Sequence, residues 1–97
     1  MWKLIGLFAA VALLGENAAS AETCKVRNHR APGDWTFVHV YDVDTGHVVL
    51  RQAINGGDSK EVTVSGHRAR VDQKPAGHRQ YKTGAIAVCK GGNTVSF

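Results

Sequence analysis

The stretch WTFVHVYDV, Trp35–Val43, decides the fold. It consists almost entirely of aromatic and β-branched side chains, which fit a pleated, half-buried surface and are stiff in a helix. One parity carries Trp35, Phe37, His39, Tyr41 and Val43; the other carries Thr36, Val38, Val40 and Asp42. Both faces are partly apolar, so the segment reads as a central strand with Trp35 in the core and His39 packed beside Phe37 and Tyr41.

After this strand, Asp44-Thr45-Gly46 makes a hairpin turn in which glycine supplies a positive φ. His47–Ile54 then returns antiparallel with Val48, Leu50 and Ile54 inward. Pairing about Thr45 sets His39 opposite Arg51 and His47 opposite Val43. Asn55-Gly56-Gly57-Asp58 turns the chain again. Lys60–Val64 puts Val62 and Val64 inside, and Arg68–Lys74 puts Ala69 and Val71 inside. Gln80–Lys82 is a candidate short edge strand and Ala85–Lys90 a buried one, and Gly91-Gly92-Asn93 leads into Thr94–Phe97. On the N-terminal side, Thr23–Asn28 alternates with Cys24 and Val26 inward, and Pro32-Gly33 marks the loop that follows. Six or seven short strands, turn signals at roughly 8–12-residue spacing and no helical periodicity after Ala21 predict an all-β fold. The expected form is a small antiparallel sandwich.

Residues 1–21 stand apart from that pattern. Lys3 gives a short positive start, Leu4–Leu14 contains no polar side chain, and Ala19-Ser20-Ala21 offers small residues for cleavage. This is the order of a helical secretory signal peptide, and the apolar run is too short to span a bilayer. Glu22 and Thr23 stand where a lipoprotein anchor needs small residues before Cys24, so no membrane anchor is expected. Taking 21 from 97 leaves a single domain of 76 residues, 22–97, expected to be secreted or periplasmic. A domain of that size buries only about two-thirds of its unfolded surface and is marginal without reinforcement. Cys24 and Cys89, the only cysteines, lie near its two ends. In an oxidising compartment such a pair is expected to join.

A strand-to-strand disulfide across two sheets, with Trp35 nearby, resembles the immunoglobulin-like sandwich in architecture. The tyrosine which that architecture places two residues before the second cysteine is replaced here by Ala87.

Charge and motifs narrow function less. Cleavage removes Lys3 and Glu16, leaving 11 basic and 7 acidic residues, a modest net +4 that favours anionic surroundings. Arg68, Arg70 and Lys74 alternate along one strand with Asp72 between them, and Arg79 and Lys82 follow closely. Arginine suits contact with phosphate, sulfate or carboxylate, so these five residues form the candidate site for an anion or partner. Few aromatics adjoin them in sequence apart from Tyr81. Five histidines invite a metal reading, with His39 and His47 the best pair, but His29, His67 and His78 lie in loops and no ligand spacing assembles. Asp42-Val43-Asp44-Thr45-Gly46 has the opening spacing of a calcium loop, yet Ala53 occupies the position of the closing glutamate. Gly57-Asp58-Ser59 reads as a turn, because no scaffold for a serine nucleophile fits so short a chain. No cofactor motif and no catalytic residue is singled out. The expectation is a non-enzymatic binding module for a protein or an anionic polymer. The alternatives are an exported histidine-based metal-binding protein and a small secreted hydrolase working through two histidines.

Overall fold

The computed structural model describes residues 21–97, so the expected signal peptide lies, but for Ala21, outside the described residues. Seven strands follow in order: β1 Glu22–Arg27, β2 Thr36–Asp42, β3 Val48–Ile54, β4 Ser59–Val64, β5 Arg68–Pro75, β6 Ile86–Val88 and β7 Asn93–Ser96. They form a three-stranded sheet, β4-β1-β7, and a four-stranded sheet, β3-β2-β5-β6. The result is the all-β, sandwich-like fold read from the sequence. Among the described residues no helix is long and apolar enough to cross a membrane.

The core follows from alternation. Val26, Val62 and Val64 of the smaller sheet meet Val38, Val40, Ile54, Ala69 and Val71 of the larger one, and Phe97 closes one end. β2 is central as expected, paired antiparallel with β3 on one side and β5 on the other. Its valine parity is the one that turns inward. Trp35 is 50% exposed and Phe37 45%, so the tryptophan assigned to the core lies outside it. Facing sheets stand only about 10 Å apart, a gap that small β-branched side chains fill and that a row of aromatics would overfill.

Three further details depart from the expected layout. The β2–β3 ladder shifts between Val40 and Tyr41: Leu50 opposes Val40 and Val48 opposes Tyr41, which leaves Val49 as the extra residue of a bulge. His39 still faces Arg51, but His47 lies opposite Asp42, whose amide donates to the His47 carbonyl at 2.8 Å, and not opposite Val43. The bulge also turns both Val49 and Leu50 against the core. The segment around β6 is an exposed edge and not a buried strand, with Ile86 57% and Val88 61% exposed. Only Cys89, just beyond it, is buried. Finally, β7 pairs with β1 in parallel, the one parallel ladder between the described strands.

The chain reaches β7 by crossing from one sheet to the other through Lys90–Asn93. Gly91 and Gly92 take φ of 59° and 76°, as a tight turn with two left-handed positions requires, and Asn93 Oδ1 accepts the Lys90 amide at 2.8 Å. Cys89 sits at this crossing and is bonded to Cys24 in β1, the middle strand of the smaller sheet, with Cα atoms 5.1 Å apart. The disulfide therefore ties the two sheets together.

Two polar side chains fasten the loops. Asn28 is fully buried and donates from Nδ2 to the carbonyls of Asp34 and Ile54, both at 2.9 Å, while its Oδ1 accepts the Arg30 amide at 3.0 Å. Asp42, also buried, accepts the Asp44 amide on Oδ1 at 3.1 Å and the Ser65 amide and hydroxyl on Oδ2 at 2.8 and 2.9 Å. That pins the β2–β3 hairpin to the β4–β5 turn. Burial by itself would raise the Asp42 carboxyl, but hydrogen bonds from Ser65, Asp44 and Thr45 outweigh it and hold the group below its ordinary 3.8.

The cross-link closes a loop of 65 residues. Replacing both cysteines by serine is expected to lower the free energy of unfolding by about 4 kcal/mol, read from denaturant titration of the oxidised chain and the variant. For Asp42, a depressed carboxyl stabilises fully above its unfolded value, and that contribution disappears as pH falls through the lowered folded value. Ser65→Ala is therefore expected to lose stability near neutrality. The gap to the parent narrows on acidification below 3.8, followed by unfolding at a series of pH values.

Candidate anion-binding face

The register of β2 and β5 decides what stands on the outer face of the larger sheet. Phe37, His39 and Tyr41 pair with Lys74, Asp72 and Arg70 respectively. On the other side of β2 they oppose Ala53, Arg51 and Val48. On the far side of β5, Ile86 opposes Arg70 and Val88 opposes Arg68. Directly opposed residues share a face, so an aromatic row lies between two rows bearing cations.

Close contacts order this surface. Tyr81, from the segment after β5, stacks on His39 with ring centroids 4.1 Å apart, and Tyr41 meets His39 edge-on at 6.4 Å. The Lys74 ammonium lies 5.3 Å from the centroids of both Phe37 and Tyr81. The Arg70 guanidinium lies 4.4 Å above the Tyr41 ring, within cation–π range.

Asp72 is what holds Arg70 flat. It is only 7% exposed, accepts from Arg70 Nε and Nη2 at 2.9 and 3.0 Å, and also takes the Gly84 amide at 3.1 Å. Its hydrogen-bonded carboxylate raises the Arg70 pKa further above the usual arginine value. Far from standing free in the middle of a basic field, Asp72 is spent on its neighbours.

The five cationic residues singled out in the sequence do not form one cluster. Arg68, Arg70 and Lys74 share the outer face of β5. Arg68 pairs with Asp44 at 2.6 Å and Arg70 with Asp72, whereas no ion pair among the described residues engages Lys74. Lys82 lies on the opposite side of β5: its backbone bridges Gln73, and its side chain lines a cleft with Arg30, Pro75, His78 and Gln80. Arg79 is exposed in the connecting loop. The residues that sequence reasoning missed are Arg51, Phe37, His39 and Tyr41 on the outer face and Arg30 in the cleft. The alternation of WTFVHVYDV holds the signal for the aromatics; only the pairing register shows that they stand beside the β5 cations.

The remaining histidines disperse. His29 Nδ1 contacts the Phe97 carbonyl oxygen, His67 lies 3.8 Å from Glu22, and His47 is exposed at the hairpin. No group of three or more His, Cys, Asp or Glu side chains that could hold a metal ion occurs among the described residues. Asp42 and Asp44, from the calcium-like spacing, are engaged with Ser65 and Arg68.

The chain matches no known protein family, no curated protein and no solved structure in the three comparisons made.

Tyr81 fixes the segment after β5 by stacking on His39, and the Gln73 and Lys82 amides close that segment onto β5 with bonds of 3.0 and 2.7 Å. Tyr81→Ala is expected to speed hydrogen exchange at those two amides about tenfold, from the worth of one aromatic pair, with the amides of β1 unchanged.

Proposed function

We propose that this chain is an exported, disulfide-closed, non-enzymatic binding module that holds an anionic polymer on the outer face of its four-stranded sheet. The observation that carries the reading is the alignment of Phe37, His39 and Tyr41 with Lys74 and Arg70 on one side and Arg51 on the other. Cations beside exposed rings suit a chain of repeated negative charges whose ring units lie flat on aromatic side chains. The charges neutralise the polymer, and Phe37 and Tyr81, both substantially exposed, supply contact that salt does not screen. The disulfide and the leader-like residues 1–21 support export.

Lys74 and Arg51 carry the charge most available to a ligand, since Arg68 and Arg70 are already engaged by Asp44 and Asp72. Binding to a sulfated polysaccharide and to a single-stranded oligonucleotide, titrated between about 50 and 200 mM salt, is expected to weaken steeply as salt rises. Lys74→Glu combined with Arg51→Glu is expected to abolish it. Phe37→Ala is expected to weaken it about tenfold without changing the salt slope. A double variant that binds as the parent does would overturn the proposal.

A further inference from the structure

A cleft lies on the other side of β5, with both Lys82 and Arg30 in its lining. The cleft is about 350 Å³ and is lined by Arg30, Gln73, Pro75, His78, Gln80 and Lys82, with no carboxylate among them. Ligand pockets start at about this size.

Arg30 is a half-buried arginine held by neutral partners. Its Nη2 donates to Gln73 Oε1 at 2.8 Å and its Nη1 reaches Asn28 Oδ1 at 3.4 Å. Asn28 is itself immobilised, fully buried and bonded to two carbonyls. No ion pair among the described residues engages Arg30. The guanidinium is thus fixed in place with its charge uncompensated and N–H donors to spare. The Lys82 backbone is held beside Gln73 by its amide and carbonyl, while its exposed side chain is free to swing its ammonium over the cleft. The sequence places no constraint that would require this: two cations converge on one amide-walled cleft without an acid to hold them there.

Gln73 also borders a second, smaller space. This slot of about 170 Å³ lies between β5–β6 and β7, and its walls include Val71, Ala85, Ala87, Val95 and Phe97. One wall residue is therefore shared between a cationic cleft and an apolar slot.

We infer that the Arg30–Gln73–Lys82 cleft and the adjoining slot bind a small amphipathic organic anion, with its charged head between Arg30 and Lys82 and a short apolar tail against Val71, Ala87 and Val95. The guanidinium and ammonium supply charge-assisted donors for the head, and the slot removes the tail from water. The site is distinct from the outer face and does not depend on that face binding a polymer.

Octanoate, acetate and octanol titrated into the isotope-labelled chain and followed by amide chemical shifts test this. Octanoate is expected to give saturable shifts at Gln73, Ala87 and Val95, with acetate and octanol each at least about tenfold weaker. Lys82→Gln, whose backbone bonds are kept, is expected to weaken octanoate about tenfold, as is Arg30→Lys, which keeps the charge and loses the planar fork. Lys74→Glu is expected to leave octanoate binding unchanged. No saturable shift with octanoate, equal affinity for acetate, or equal affinity for octanol would overturn the inference.

Discussion

A thin core bridged by one covalent bond is the constraint on which the rest of this structure depends. Among the described residues the buried apolar ones are mostly valines, with Phe97 the only large ring among them. Such side chains let two sheets approach closely, but they remove little area from water in so short a domain. The Cys24–Cys89 bond makes up for this by joining the middle strand of one sheet to the edge of the other. Because the core takes the valine parity of β2, the aromatic parity is left outside. The same choice that gives the domain its interior therefore gives it the ring-bearing surface beside Lys74 and Arg51.

Much of the architecture was legible because period-two alternation and glycine-rich turns are local signals. Lys60–Val64 and the inward Ala69 and Val71 needed nothing beyond it, and the pairing of Cys24 with Cys89 was expected because they are the two cysteines of the chain. WTFVHVYDV was harder: both parities are apolar, so alternation identifies the strand without choosing its inner face. Hydrophobicity favours Trp35 for the interior, whereas the spacing between sheets favours Val38 and Val40. AIAVCK misled for a related reason. Ile86 and Val88 read as buried, but being at a sheet edge depends on which strand lies beyond, and no local pattern encodes that.

The two candidate sites were legible to different degrees. Arg68, Arg70 and Lys74 share a face by simple alternation. Separating Lys82 from them requires the Gln73 bridge, made only after the loop at Ala76–Gly77 has turned the chain back. Asn28 looks like an ordinary strand-end polar residue in sequence. Its burial arises from three segments converging on it, Asp34, Ile54 and Arg30 among them, and with it comes the fixed position of the Arg30 guanidinium.

The parallel ladder between β1 and β7 has a consequence for the order of events when the chain is made. β1 is the first of the described strands to be synthesised, yet both of its hydrogen-bonding edges wait for later ones, β4 and then β7. Until Asn93–Ser96 arrives the smaller sheet is incomplete, and Cys24 has no partner before Cys89 is made. Contacts so distant in sequence are slow to form, since the intervening loop must close first. A nascent chain of this topology therefore keeps one edge of β1 unpaired until Asn93–Ser96 is available.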